Sequence, residues 1–496
     1  MPITPAPGPG LGTDGGGGGL RALGSRLEGV LVLPGDPGWD AARAAWQLAV
    51  DQRPAAVVLA RSAADVAATL KTARVCGLRV APQSSGHNAA PLGPLHDTIL
   101  LRTFEMAHVH IDPVRRLARV GAGVVWAEVS AAAAKHGLAG LAGTASDVGV
   151  VGYTLGGGLS WFARSHGLAA NHVTGATVVT ADGRVLRVDA GHEPDLFWAI
   201  RGGGGAYAVV TELEFALFPI TEVYAGALYW PIGRAEEVLR RWRDWTATVP
   251  DTVTSLGRLL RFPPLEDIPE PFRGRSLVAV EAVAQLSQGT QLSQGTQLGQ
   301  GGPLSQGGPL SQEAADALLA PLRDLGPELD TFAPTPPSRL DLLHLDPPGP
   351  TPAAGDGLQL AALTDDTLAA LLAVAGADAD VPLLTVEARH LGGALAPDAA
   401  RPGGAVSSLD AAFAVFSGGL TFDASSTAAV HAALDTLTTV LAPWRAPLSY
   451  RNFTERRPDD GLAFEPDQVR RRLQRIKQTY DPGDVIRANH PVEPSR

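Results

Sequence analysis

A glycine-rich stretch at residues 143–161 has the composition of a ligand-binding segment. It reads GTASDVGVVGYTLGGGLSW, and no charged residue follows Asp147 within it. Because glycine loses much conformational entropy on folding, a dense cluster indicates positive φ angles or close approach of the backbone to a large group. The pattern is neither a polar flexible linker nor an amphipathic helix. It predicts a buried loop whose main-chain NH groups approach an extended anionic ligand, or else a tight turn beside a core strand.

A second candidate site is a short turn that directly follows a predicted strand at residues 78–81. Small residues that end in Gly-His can form an anion-binding turn of backbone NH groups. The histidine could also be an ordinary loop residue with a hydrogen-bonded ring, and the residues alone leave both interpretations open. The turn consists of Ser84, Ser85, Gly86, His87 and Asn88.

Strands and helices alternate around these two sites. A predicted strand at 56–60 precedes a predicted helix at 62–76, with Ser62 as its N-cap and Gly77 just after its end. The alternation indicates an arrangement of α/β type in this region. Further strands are predicted at 98–101, 109–111, 117–121, 173–180, 185–188, 209–217, 277–284 and 383–391, and helices at 38–50, 126–136 and 469–478.

The composition limits the partners and the compartment. The chain has 496 residues, a net charge of −11 and no long basic block, so nucleic acid and anionic membranes are poor partners. Its one cysteine, Cys76, allows neither an intrachain disulfide nor a cysteine metal cluster, and no metal is expected. The sequence shows no secretory signal and no apolar run of transmembrane length, so we expect a cytoplasmic protein.

Two segments have compositions that argue against a packed core. Residues 1–24 are rich in proline and glycine and are predicted to be disordered. Residues 285–312 carry a six-residue polar repeat that begins QLSQGT and is too short to build a β-helix. We predict a low-complexity surface insertion there, and a binding segment is the alternative.

Several motifs occur in an order that is specific as a set. They are the turn at 84–88, the stretch at 143–158, Gly167 with Asn171, residues 180–183 and residues 195–205. Together they resemble the FAD-binding domain of PCMH-type flavoproteins (the vanillyl-alcohol-oxidase superfamily), within it the berberine-bridge-enzyme-like group and the bacterial 6-hydroxy-D-nicotine-oxidase-like oxidoreductases. The resemblance covers about residues 38–222 and resumes at 450–453 and 480–491. An NAD-binding fingerprint ranks low, because the glycines at 156–158 lack the G-x-G-x-x-G spacing.

The resemblance implies an α+β fold. It implies a two-subdomain PCMH-type FAD-binding domain at residues 25–222 and a substrate domain at 223–449, whose antiparallel sheet is covered by helices. The C-terminal segment, residues 450–496, is expected to return to the FAD-binding domain.

The resemblance also implies that FAD is bonded covalently to His87, through an imidazole nitrogen and the 8α-methyl group of the flavin. Some relatives carry a second bond from a cysteine, but the matching residue here is Ala145, so a single attachment is expected. Val148 matches the residue that controls access of oxygen to the flavin. The residues expected to bind the cofactor are His87, Ser84, Ser85, Gly86, Asn88, Gly143, Thr144, Val148, Gly149, Gly152, Tyr153, Gly156, Gly157, Gly158, Gly167, Asn171, Val173, Val210, Tyr450, Asn452 and Asn489.

For the chemistry, the resemblance implies an FAD-dependent oxidase. Tyr450 is the first choice for the general base, and Glu387 is a candidate base or substrate anchor. Glu387 could instead simply pair with Arg389 on the same strand face at a solvated sheet edge. A hydride would pass from a C–H bond of a small alcohol, sugar, amine or natural-product intermediate to flavin N5, and molecular oxygen would reoxidise the flavin to give hydrogen peroxide. The alternatives are an oxidative cyclase or dehydrogenase of secondary metabolism, or a non-catalytic flavin-binding protein.

Overall fold

The computed structural model describes residues 16–266, 268–287, 308–347, 349–399, 403–456 and 463–495. Residues 1–15 of the predicted disordered tail, and most of the polar repeat at 288–307, lie outside the described residues.

The first sheet has four strands in the order β1-β2-β4-β3, and the last three of these run parallel. The predicted helix at 62–76 is confirmed, because the Ser62 side chain accepts a hydrogen bond from the Asp65 NH group and Gly77 ends the helix at a φ of 66°. The elements are α1 (Gly16–Gly24), β1 (Val30–Val32), α2 (Trp39–Arg43), β2 (Ala56–Leu59), α3 (Ala63–Cys76), β3 (Arg79–Gln83) and β4 (Thr98–Arg102).

Two predictions for the N-terminal region were wrong. Disorder was predicted over 1–24, but Gly16–Gly24 forms a helix, because Leu20 and Leu23 pack into the core of the first sheet. A helix was predicted over 38–50, but α2 ends at Arg43 and the chain then becomes extended. The NH group of Trp46 donates to the Ser85 carbonyl at 2.9 Å, so this extended segment lies against the turn at 84–88.

The second sheet has five antiparallel strands in the order β5-β6-β9-β7-β8. The C-terminal helix α13 (Asp467–Tyr480) inserts Leu473 and Ile476 into the core of this sheet. After that helix, Ile486 pairs with Val80, so the end of the chain returns to the first sheet. The elements are β5 (Val109–Asp112), β6 (Leu117–Gly121), α4 (Trp126–Ala134), α5 (Val150–Leu155), α6 (Ala163–His166), β7 (Val173–Val179), β8 (Val185–Val188), α7 (Pro194–Ile200) and β9 (Val209–Ala216).

The third sheet is antiparallel and has eight strands, in the order β13-β10-β12-β11-β16-β17-β15 with β14 paired to β10. Helices α8, α11 and α12 bury apolar side chains against one of its faces. The expected α+β fold is therefore confirmed. The elements are β10 (Val223–Pro231), α8 (Ala235–Thr246), β11 (Val253–Arg261), β12 (Ser276–Gln285), α9 (Gln312–Leu318), α10 (Ala320–Arg323), β13 (Leu329–Asp330), β14 (Ala333–Thr335), β15 (Ala353–Leu360), α11 (Asp365–Ala375), β16 (Thr385–His390), β17 (Phe413–Leu420) and α12 (Ala424–Leu441).

The polar insertion is narrower than the predicted 285–312. Gln285 is the last residue of β12, Leu286 pairs with Leu310, and Gln312 begins α9. These residues are ordered because the two ends of the segment pair with each other. Within the described residues, no helix combines the length and the apolar character needed to cross a lipid bilayer.

Candidate active site

A cavity of about 1230 Å³ lies between the third sheet and the two smaller sheets. Ligand pockets usually measure about 300–1000 Å³, so this one has room for a large cofactor together with a second molecule. Ala145 and Glu387 line it, and so do most of the residues expected to bind the cofactor. These are Ser84, Ser85, Gly86, His87, Asn88, Gly143, Thr144, Val148, Gly149, Gly152, Tyr153, Gly156, Val210, Tyr450, Asn452 and Asn489.

Five of the residues expected to bind the cofactor are not part of the cavity lining. Gly157 and Gly158 have positive φ angles of 121° and 80°, and a methyl group on Gly157 would lie 3.1 Å from the Tyr450 ring. Gly157 therefore lets the Tyr450 ring pack closely against the backbone, whereas a methyl group on Gly158 would lie 2.7 Å from both Ala169 and Tyr153. The others are Gly167, Asn171, whose side chain donates to the Ser407 carbonyl at 2.8 Å, and Val173, which is buried in the core of the second sheet.

The glycine-rich stretch is only partly a loop, because Val150–Leu155 forms the short helix α5. The prediction of a loop was wrong there: Val150, Val151 and Leu155 are buried and hold this turn of helix against the second sheet. Gly152 is exposed, and a methyl group on it would meet no atom within 4 Å. The stretch thus presents bare backbone to the cavity.

The glycine-rich stretch contacts the turn at 84–88. A methyl group on Gly149 would lie 2.9 Å from the Ser84 Oγ atom, so the two segments can be this close only because residue 149 is glycine. Gly86 has a φ of 87°, which lets the turn reverse direction beside the histidine. The two segments that the sequence singled out therefore form one continuous wall.

The His87 ring is held on three sides. Its Nδ1 atom is 2.8 Å from the Ser85 Oγ atom, and its Nε2 atom is 3.2 Å from the Asp147 carboxylate. The ring stacks on Trp46 with 4.1 Å between centroids, and the Trp46 indole NH group donates to Asp147 at 2.5 Å. Burial acts to raise the pKa of Asp147, but the hydrogen bonds from His87 and Trp46 outweigh it and lower that pKa. This arrangement fixes the position of the imidazole.

Sequence reasoning did not identify Trp46 and Asp147 as members of this site. A usable signal existed for Asp147, because it is the one charged residue in the apolar, glycine-rich stretch. Trp46 gave no comparable signal, since it lies in a segment whose pattern predicted a helix.

The Tyr450 hydroxyl group is buried and accepts a hydrogen bond from a neighbouring side chain. The Asn452 side chain donates to it at 3.1 Å, and the backbone at Gly158 and Leu159 also acts to lower the pKa of this hydroxyl. Burial raises the pKa of Tyr450, and these groups, together with the nearby Arg389, oppose that rise only in part. The hydroxyl is thus protonated at neutral pH but surrounded by groups that stabilise its deprotonated form.

A buried network of charged side chains lies on the third sheet and reaches the cavity. Arg258 donates to Glu281 at 2.7 Å, and Glu281 is 2.6 Å from the His344 Nδ1 atom. The His344 Nε2 atom is 3.0 Å from Glu387, which also accepts a hydrogen bond from Arg389 at 2.7 Å. Burial acts to raise the pKa of Glu387, but Arg389, His344 and Arg258 outweigh it and hold that pKa well below its usual range. The expected Glu387–Arg389 pair exists, but it is buried rather than at a solvated edge.

The pKa of His344 is raised to about 9. Burial and Arg258 act to lower it, but the carboxylates of Glu281, Asp346 and Glu387 outweigh both. The pKa of His344 in the folded protein exceeds the ordinary histidine value of 6.5, so the protonated form of His344 stabilises the fold. This contribution is complete below about pH 6.5. This contribution is lost as the pH rises from there through about 9.

We therefore expect His344→Gln to destabilise the protein most near pH 6, with a difference from the wild type that shrinks as the pH rises towards 9. Urea unfolding of both proteins across this range measures the difference. His431→Gln, at an exposed position on α12, is the matched control and should show no such trend. If the difference in free energy of unfolding between the wild type and His344→Gln did not shrink with rising pH, the raised pKa of His344 would be contradicted.

A further carboxyl group in the cavity was not predicted. Glu455 lines the cavity, and its Oε2 atom accepts hydrogen bonds from the Gln47 side chain at 2.9 Å and the Gly355 NH group at 3.0 Å. Burial and the neighbouring Asp356 raise the pKa of Glu455 to about 7. The sequence around it has no pattern that could have marked it.

Comparison with known proteins agrees with this geometry. Residues 54–189 match the family described as FAD binding domain. The chain is therefore similar to an FAD binding domain over these residues. It is 36% identical over 205 residues to (R)-6-hydroxynicotine oxidase of Paenarthrobacter nicotinovorans, a stretch that covers 41% of this chain and 45% of that protein. The chain thus spans about half the length of the curated relatives that it matches.

Solved structures match over a much larger share of the chain. BBE-like 1 of Physcomitrella patens superposes with a TM-score of 0.79 at 18% identity, covering 96% of this chain and 99% of that one. A glucooligosaccharide oxidase from Acremonium strictum, described with a 6-S-cysteinyl, 8α-N1-histidyl FAD, has a TM-score of 0.76 at 20% identity, with 96% and 99% covered. At sequence identities of 18% and 20%, the structural similarity shows that this chain shares the fold of these proteins. The resemblance to PCMH-type, berberine-bridge-enzyme-like flavoproteins that the sequence motifs indicated is confirmed.

Proposed function

We propose that the protein is an FAD-dependent oxidase that removes a hydride from a C–H bond of a small organic substrate. One observation carries this proposal: a buried tyrosine hydroxyl, which accepts a hydrogen bond from Asn452, lies in the same cavity as the glycine-rich wall of residues 84–88 and 143–156. FAD supplies the acceptor for the hydride and the reactivity with oxygen that yields hydrogen peroxide.

The residues present fit FAD. The bare backbone at Gly152 leaves room for a large group against the wall, as a cofactor cradle requires. The Asn88 Oδ1 atom is buried without a hydrogen-bond partner among the described residues, so it can accept a hydrogen bond from a bound molecule. The turn at 84–88, the stretch at 143–156 and Asn452 would hold the cofactor.

We infer a covalent bond between His87 and the 8α carbon of the flavin. His87 lines the cavity with its ring fixed by Ser85, Asp147 and Trp46, so it is presented to a ligand there. One imidazole nitrogen would exchange its contact with Ser85 or Asp147 for the bond to the flavin. The imidazole and the methyl group would each lose one hydrogen, and molecular oxygen would take up the two electrons and two protons released. The Ala145 methyl group lines the cavity where a cysteine would be needed for a second bond, and Cys76 lies on α3, so one attachment is proposed.

Tyr450 acts as the general base in this proposal after it has lost its own proton, and Asn452, the backbone at Gly158 and Leu159, and Arg389 are the groups that favour its deprotonated form against burial. The deprotonated Tyr450 oxygen would accept the proton from a substrate hydroxyl or amine group as the adjacent C–H bond loses its hydride. Glu387 is a poor proton acceptor because its pKa is held low. It serves instead as a fixed negative charge that positions Arg389 at the cavity wall.

The experiment that tests this function is an absorbance trace of the purified protein with a panel of alcohols, sugars and amines. An oxidase is expected to lose its visible flavin band without oxygen and to regain it in air, with formation of hydrogen peroxide. A band that bleaches but does not return in air would indicate a dehydrogenase. A yellow protein that no member of a broad panel bleaches would indicate a flavin-binding protein without turnover.

A further inference from the structure

Four large apolar side chains are exposed around the mouth of the cavity. They are Phe422, Leu342, Leu265 and Leu345, with 72%, 57%, 47% and 39% of their surface exposed, and all four line the cavity. We refer to these four residues as the apolar collar. Single exposed apolar residues are ordinary, but a group of them on one concave surface marks a binding site.

The apolar surface continues from the collar towards the charged network. On β11 and the residue that follows it, Phe262, Leu260 and Arg258 alternate along one strand face and all line the cavity. Arg258 lies opposite Glu387 in the pairing of β11 with β16. Along this strand face the cavity lining therefore changes from apolar at Phe262 and Leu260 to charged at Arg258.

The backbone at Leu345 is held in an unfavourable conformation. Its φ of 56° lies in the left-handed region, which costs on the order of 1–3 kcal/mol for a residue other than glycine. The preceding residue, His344, is fixed by the buried network, and its carbonyl accepts a hydrogen bond from Arg258 at 2.6 Å. Asparagine or glycine would fit this conformation better, so a leucine there is retained at a cost to stability.

We propose that the substrate of the oxidase has an extended apolar body, which the apolar collar and the adjoining face of β11 receive, and a single hydroxyl or amine group at its reacting end. This inference rests on the proposed function and narrows it. A sugar would lose the hydration of several hydroxyl groups against the four apolar side chains of the collar, and these side chains offer no hydrogen bonds in return. The apolar body of a terpenoid, phenylpropanoid or long-chain alcohol would be removed from water by contact with the collar, which favours binding.

The test compares apolar with sugar substrates in the wild type and in two collar variants. We expect geraniol and cinnamyl alcohol to reduce the flavin at far lower concentrations than glucose or cellobiose. Phe422→Ser and Leu345→Asn should each raise KM for the apolar alcohols about tenfold with little change in kcat, because only apolar contact is removed. Val114→Ser, at a 91% exposed position away from the cavity, is the control and should leave KM unchanged.

Leu345→Asn carries a second readout that does not depend on turnover. Asparagine tolerates the left-handed region, so this variant should keep or raise the melting temperature while KM rises. A Leu345→Asn protein with a lower melting temperature than the wild type would overturn the assignment of strain at Leu345.

Binding of the neutral fluorescent probe N-phenyl-1-naphthylamine separates this inference from the proposed function. Probe that binds the wild type, is displaced by geraniol and binds the collar variants more weakly supports an apolar site, even if no panel member is oxidised. Efficient oxidation of sugars, with collar variants unaffected, would overturn the inference while leaving the oxidase function intact. Self-association of the wild type that Phe422→Ser abolishes, with probe binding unchanged, would also overturn it, because the collar would then be an interface between copies of the chain.

Discussion

Replacing Tyr450 with phenylalanine is expected to lower the rate of flavin reduction by about a thousandfold and to leave the flavin content unchanged. Removal of a general base costs about a hundredfold to ten-thousandfold in rate. The change deletes only the hydroxyl group, so the ring contacts with Phe453 and Gly157 remain. The rate is measured by anaerobic stopped-flow mixing with an oxidisable substrate.

The matched control for this variant is Tyr480→Phe. The Tyr480 hydroxyl group bonds to Glu193, just before α7, and Tyr480 is not part of the cavity lining. This control should reduce its flavin at the wild-type rate. Near-wild-type reduction by the Tyr450→Phe protein would exclude Tyr450 as the proton acceptor.

Replacing Arg258 with methionine is expected to lower the free energy of unfolding by about 3–5 kcal/mol. Breaking a buried ion pair has this cost because it leaves a charge buried without compensation. Arg258 is 2.7 Å from Glu281 and 3.6 Å from Glu387, and all three side chains are at least 95% buried. Urea unfolding of the wild type and of the Arg258→Met protein measures this loss in the free energy of unfolding.

The control for Arg258→Met is Arg53→Met. Arg53 pairs with Asp51 at 2.7 Å, but its side chain is 81% exposed, and such surface pairs contribute only about 0–1 kcal/mol. A second comparison uses the double variant Arg258→Met with Glu281→Gln. The second change removes a buried carboxylate charge that has lost its arginine partner, so it should restore part of the free energy of unfolding. If Arg258→Met were no more destabilising than the surface control, the buried network would not stabilise the fold.

Local patterns in the sequence predicted the elements that carry strong end signals. The helix α3 was predicted because Ser62 caps it and Gly77 ends it, and both signals act within a few residues. Residues 84–88 and 143–156 were predicted as two candidate ligand-binding segments because glycine and small residues have few other reasons to cluster. Where tertiary packing outweighs local pattern, prediction failed, as in the helices α1 and α5 and the early end of α2.

The candidate site was predictable only in part, because much of it depends on contacts between residues far apart in the sequence. The Arg258–Glu387 juxtaposition follows from the register of β11 against β16, which no local pattern specifies. Trp46 reaches His87 only because the chain after α2 turns extended and bonds to the turn at 84–88. Glu455 is recognisable only from its buried surroundings.

The central claim is that FAD lies in this cavity and is bonded to His87. It is tested most directly by precipitating the purified protein with acid and examining the washed pellet for flavin. We predict that the wild-type pellet keeps its yellow colour, and that a His87→Ala protein releases all of its flavin into the supernatant. A wild-type protein that releases its flavin completely, or that is isolated without any and takes up none, would contradict the account.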